Sequence, residues 1–164
     1  MSFYVSIRFK GIVKKELREV FAPVALTGNW QDCQDEVIRD FGEAYKTTYF
    51  IGNGSGLIEK WKQEPWKTSY DVKTGEWIFE TDINTRRTPY WEFEEEIIPY
   101  LIELAEHIEL WYEAWESGNE ITTVDKYENG EFELVGWLDE AGNWMTDEEI
   151  KQEKERLKRI WRNE

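Results

Sequence analysis

Two runs rich in β-branched and aromatic residues, 121–127 and 131–137, flank the dipeptide Asn129-Gly130. Asn-Gly is the pair a two-residue hairpin turn asks for, because both central residues of the turn need positive φ. A second pair of runs, 68–72 and 76–83, surrounds Lys73-Thr74-Gly75, and in its second arm Trp77, Phe79, Thr81 and Ile83 share one face. At the N-terminus Phe3, Val5, Ile7 and Phe9 alternate with Tyr4, Ser6, Arg8 and Lys10, the period of a half-buried strand. Hairpins impose antiparallel neighbours. Helical patterns are interspersed without a regular βαβ alternation, so the chain reads as α+β: a mainly antiparallel sheet with helices packed on it.

The helical patterns are four. Val13, Leu17, Val20 and Phe21 form a short one before Pro23, and Trp30, Cys33, Val37 and Phe41 form another, with Asn29 as its cap. The longest spans residues 89–117, from the N-cap signal Thr88-Pro89 to Gly118, with Pro99 as a kink or a delayed start. Thr146 and Glu149 make a capping box for a C-terminal helix over 147–162. Residues 47–51 read as a strand, followed by the loop Gly52-Asn53-Gly54-Ser55-Gly56. No linker or repeat interrupts the 164 residues, so a single domain over 1–164 is expected.

Charge narrows the function. There are 35 acidic and 20 basic residues, a net charge of −15. That sign repels nucleic acid and anionic lipid and attracts basic protein surfaces. From Thr88 to Asp125 no Lys or Arg occurs, while Glu92, Glu94, Glu95, Glu96, Glu103, Glu106, Glu109, Glu113, Glu116, Glu120 and Asp125 do. On a helix, Glu103, Glu106, Glu109, Glu113 and Glu116 would recur along one side, with Phe93, Ile97, Leu101, Leu104, Ala105, Ile108, Trp111, Tyr112 and Trp115 on the other. The expectation is an uncompensated negative rail that docks on a cationic surface. Its alternatives are a merely solvated face and, with least weight, an acidic metal site.

The remaining candidates are weaker. His107 is the one histidine, which is too few for a typical zinc site, and Cys33 is the one cysteine, so no intrachain disulfide is available. No metal or cofactor is expected. The glycine loop lacks the spacing of a dinucleotide fingerprint and the Lys-Ser/Thr of a P-loop. Of the 10 tryptophans, Trp77, Trp111 and Trp115 fall in apolar phase. Trp61, Trp66 and Trp144 lie in polar, turn-like surroundings and are candidate interface anchors. The absence of a long apolar run and of a leader pattern points to a cytoplasmic protein without a membrane span.

The block from Thr88-Pro89-Tyr90-Trp91-Glu92 to Glu109-Leu110-Trp111-Tyr112-Glu113-Ala114-Trp115 resembles, in size, charge and helix style, small acidic proteins that neutralise another protein. These are the immunity proteins of bacterial toxin systems and phage inhibitors of host defence such as anti-restriction and anti-CRISPR proteins. The resemblance implies an inhibitor of a basic target, often a nuclease or another nucleic-acid-handling protein; no catalysis is expected, and the net charge argues against direct nucleic-acid binding.

The expected partner surface is therefore Glu92, Glu95, Glu96, Glu103, Glu106, Glu109, Glu113 and Glu116 with Trp61, Trp66 and Trp144. Two alternatives stand beside it. One is a small enzyme or carbohydrate-binding module, which needs a concave pocket holding carboxylates and a tryptophan platform. The other is a homo-oligomeric structural subunit, self-associating between the acidic face and the basic residues of the C-terminal helix.

Overall fold

The computed structural model describes residues 3–27, 30–36, 38–40, 59–85, 98–114 and 121–162. Six strands form one antiparallel sheet: β1 (Phe3–Val13), β2 (Ser69–Tyr70), β3 (Glu76–Thr85), β4 (Ala105–Ala114), β5 (Thr122–Glu128) and β6 (Glu131–Leu138). Their order is β2-β3-β1-β4-β5-β6. The helices are α1 (Arg18–Thr27), α2 (Glu59–Gln63), α3 (Ile98–Leu104) and α4 (Asp147–Arg162), with 3-10 turns at Lys15–Leu17 and Trp30–Asp32.

Both expected hairpins form. Asn129 and Gly130 take φ of 54° and 84° between β5 and β6, as the two-residue turn requires. In the β2–β3 turn the Asp71 carboxylate accepts from Lys73 N–H at 2.8 Å, and Gly75 sits at φ 79°. The C-terminal helix is capped reciprocally: Glu149 N–H donates to Thr146 Oγ1 at 3.2 Å and Thr146 N–H donates to Glu149 Oε1 at 3.1 Å.

The long helix expected over 89–117 does not form as such. Residues 86–97 and 115–120 lie outside the described ones. Between them only Ile98–Leu104 is helical, and Ala105–Ala114 is the strand β4. The physical reason is visible in one misfit. On a helix Leu110 would sit among Glu106 and Glu113, on the charged side; in the strand it aligns with Ile108 and Tyr112, and all three are buried. A strand places β4 between β1 and β5, where those side chains complete the core, at roughly 1.5–3 kcal/mol for each large side chain buried. Spacings of three and four in the glutamates were compatible with a helix, and spacings of two in the apolar residues with a strand. Tertiary burial selects the second.

Smaller departures follow similar logic. α1 continues through Pro23, which lies on its exposed side while Phe21, Val24 and Ala25 are buried. The helix expected from Trp30 breaks at residues 33–35, and Asp35 Oδ1 caps a new helical turn by accepting from Ile38 N–H at 3.1 Å. The strand expected over 47–51 and the glycine loop after it lie outside the described residues.

Alternation divides the sheet into two faces. One carries Ile7, Phe9, Trp77, Phe79, Ile108, Leu110 and Tyr112, joined in a single buried cluster by Phe21 and Val24 of α1 and by Leu101 and Leu104 of α3. Phe9 stacks on Phe79 with ring centroids 4.8 Å apart, and Phe21 meets Trp77 edge-on at 4.7 Å. No helix among the described residues is long and apolar enough to cross a membrane.

Candidate functional site

The second face of the sheet is built of polar and aromatic residues, and strand register arranges them in rows. Glu80, Arg8, Trp111, Val124 and Gly136 lie side by side across β3, β1, β4, β5 and β6. The next row reads Ile78, Lys10, Glu109, Lys126 and Glu133, so its charges alternate in sign across four strands.

At one end of this face Arg8 is enclosed. Its Nε donates to Glu80 Oε1 at 2.6 Å, and one terminal amino group donates to the carbonyls of Glu64 at 2.6 Å and Trp61 at 3.4 Å. The guanidinium carbon lies 4.6, 5.3 and 5.6 Å from the ring centroids of Trp61, Trp66 and Trp111. Burial pulls the Arg8 pKa below its ordinary value, and the Glu80 carboxylate acts in the opposite direction. This assembly fastens the 59–66 segment to the sheet. Beyond it, Ser6 Oγ donates to Asp82 Oδ1 at 2.7 Å, and buried Glu113 accepts from Thr122 Oγ1 at 3.4 Å.

The other half of the face is open. Here a depression of about 440 Å³ is lined by Lys10, His107, Glu109, Lys126, Glu128, Val135 and Trp144, among others. Backbone irregularities shape it. Between the pairs Lys10/Glu109 and Ile12/Glu106 the register slips, and His107 takes a left-handed φ of 51°. That conformation costs a non-glycine residue roughly 1–2 kcal/mol. His107 Nδ1 lies 3.7 Å from Glu128 Oε1, which Lys126 Nζ approaches to 3.2 Å.

Trp144 forms the wall. After β6 a turn closes with Asn143 N–H donating to Asp139 Oδ1 at 2.9 Å. The chain then doubles back so that Trp144 pairs with Leu138 and Met145 N–H donates to the Trp137 carbonyl at 2.8 Å. The indole rests on Gly136: a Cβ there would come within 3.0 Å of its Cε3 and Cζ3 atoms. Glycine therefore makes the seat, and the ring remains 55% exposed.

The structure redistributes the residues expected to form a rail. Glu103 and Glu106 are exposed, on α3 and β4. Glu109 stands between the register positions of Lys10 and Lys126 and accepts from Trp111 Nε1 at 2.8 Å. Glu113 is 4% exposed. These four acids do not make one outward line: Glu103 stands on α3, Glu113 is buried, and Glu109 has Lys10 and Lys126 opposite it in the neighbouring strands. Glu92, Glu95, Glu96 and Glu116 lie outside the described residues. Of the three candidate anchors, Trp61 is buried and Trp66 is half-buried, 5.2 Å from Trp111, so both serve the Arg8 enclosure. Trp144 alone is exposed.

Lys10, His107, Lys126 and Glu128 were missed as groove residues, since only strand pairing gathers them. The alternation of Lys10 in β1 was a usable signal; the bulge at His107 had none. Cys33 is buried, its Sγ 3.3 Å from the Val20 carbonyl, and burial pushes the thiol pKa up. Comparison of the chain with protein-family models, curated proteins and solved structures finds no match.

Proposed function

We propose that this chain is a non-enzymatic binding protein that docks a positively charged protein and inhibits it by covering its surface. The contact is centred on Trp144 and β6. Among the described residues the exposed large hydrophobics are Val72, Leu134, Val135 and Trp144, and three of these four belong to β6 and its return. Around them stand Glu128, Glu131 and Glu133. An apolar centre with a tryptophan anchor and a charged rim is the anatomy of a protein interface. The net charge of −15 selects basic partners and speeds their approach. Such partners include nucleases and other nucleic-acid-handling proteins, as for phage anti-defence or toxin-immunity proteins.

The observation that carries this reading is the exposed indole of Trp144 seated on Gly136 at the open edge of an acidic protein. Capture from a bacterial lysate by the wild-type chain and by Trp144→Ala, washed at low and high salt, tests it. Proteins of high isoelectric point should be retained by the wild type at low salt and lost by the equally folded variant. A retained set indifferent to both Trp144→Ala and salt refutes the reading.

One observation favours a second reading. The groove brings Glu109 and Glu128 together with the Trp144 platform in a concavity, which is what a carbohydrate-binding site requires. Saturable binding of an oligosaccharide that is insensitive to salt and abolished by Trp144→Ala would select that reading instead.

A further inference from the structure

We infer that the outer edge of β6, residues 131–135, is a strand-addition site that takes an extended, lysine- or arginine-bearing segment of the partner. The inference rests on the proposed binding function and specifies its geometry. β6 ends the sheet, with β5 as its neighbour on the inner side. Part of its outer edge is used within the chain, where Trp144 pairs with Leu138 and Met145 N–H reaches Trp137. Residues 131–135 show no backbone partner on the outer side among the described residues. An open edge of this kind is a template for another strand.

The side chains specify which strand. Register places Glu131 and Glu133 on the groove face, opposite Glu128 and Lys126. Phe132 and Leu134 fall on the other face, opposite Tyr127 and Asp125, with Leu134 47% exposed. An added strand lays its own alternate side chains beside these two sets. Its complement is therefore an alternating sequence, cationic on one face and aliphatic on the other. Val135, at the register slip between Val124 and Asp125, then flanks Trp144 where the incoming strand must end.

A second copy of this chain is a poor occupant. An antiparallel two-fold pairing centred on residue 133 sets Glu133 against its own copy, and it brings together two molecules of net charge −15. The edge is guarded against itself by charge while being complementary to a basic strand.

The test uses peptides, so that the fold stays intact. The probe is an octapeptide alternating lysine and valine, compared with a glutamate-valine counterpart and with two lysine-valine peptides N-methylated at alternate residues, one for each hydrogen-bonding edge. Binding is followed together with amide hydrogen exchange at residues 131–135. The lysine-valine peptide should slow exchange there. One of the two methylated peptides should bind about tenfold or more weakly. The glutamate-valine peptide should bind the wild type no better than that.

The folded double variant Glu131→Lys/Glu133→Lys should reverse the charge preference. Equal binding by both methylated peptides, or binding that leaves exchange at 131–135 unchanged while depending on Trp144, overturns strand addition and leaves the proposed function standing. A dimer seen by light scattering at low salt, with those amides protected, also overturns it. The wider reading falls separately, on the lysate capture.

Discussion

Arg8 offers the sharpest perturbation of this fold. Its guanidinium satisfies Glu80, which is 1% exposed, accepts contact from three indoles and ties down the carbonyls of Glu64 and Trp61. Arg8→Met keeps a long apolar side chain among the rings, and the thioether gains contacts of its own with them. It leaves the buried Glu80 carboxylate without the Arg8 guanidinium. Breaking a buried pair from one side costs about 3–5 kcal/mol. Against a total stability on the order of 5–15 kcal/mol, that is a large fraction.

Replacing both partners, Arg8→Met with Glu80→Met, removes the buried charge along with the guanidinium that paired with it. The double variant should therefore be more stable than Arg8→Met alone, with an interaction energy of about 2 kcal/mol or more. Urea unfolding of the four proteins in the cycle, compared at constant m-value, measures it. Limited trypsin cleavage at Lys62 and Lys67 should also accelerate in Arg8→Met, because the 59–66 segment loses its fastening. A cost below about 1 kcal/mol for Arg8→Met would refute the view that this enclosure holds the segment. So would single costs that simply add in the double variant.

Other outcomes follow from single contacts. Gly75→Ala should destabilise by about 2–4 kcal/mol in thermal or urea unfolding, since φ is 79° and the added Cβ would meet the Val13 carbonyl oxygen at 2.6 Å. Thr146→Ala should cost about 1 kcal/mol by losing the cap of α4, with Thr146→Ser restoring most of it. Burial raises the Tyr70 pKa to about 12, above its usual value of 10. The folded state thus holds this proton more tightly than the unfolded state. The stability involved is fully present below pH 10 and is lost as pH rises from 10 to about 12. Unfolding curves across that window should be steeper in pH for the wild type than for Tyr70→Phe, which also forfeits the hydrogen bond donated to the Arg18 carbonyl at 2.5 Å. Gly136→Ala should displace the Trp144 indole from its seat, weakening partner capture while leaving circular dichroism unchanged.

What the sequence by itself determined was local. Asn129-Gly130 and Lys73-Thr74-Gly75 specified two hairpins, because only a few residue types accept the backbone angles of those turns. Thr146 and Glu149 specified the start of α4, and the alternation of Ile7 and Phe9 with Ser6 and Arg8 specified β1. Together these made an antiparallel α+β sheet legible, and of the three tryptophans in polar surroundings Trp144 is the one left exposed. The tertiary structure decided the rest. Residues 105–114 carried two periodicities at once, and only pairing with β1 and β5 chose the one that buries Leu110. That choice buried Glu113 on the face opposite the core, set Glu109 between Lys10 and Lys126, and turned Trp61 and Trp66 into walls around Arg8. Charge and turn chemistry are properties of neighbours along the chain; which side of a strand meets the core depends on partners distant in sequence, and so does the surface left for binding.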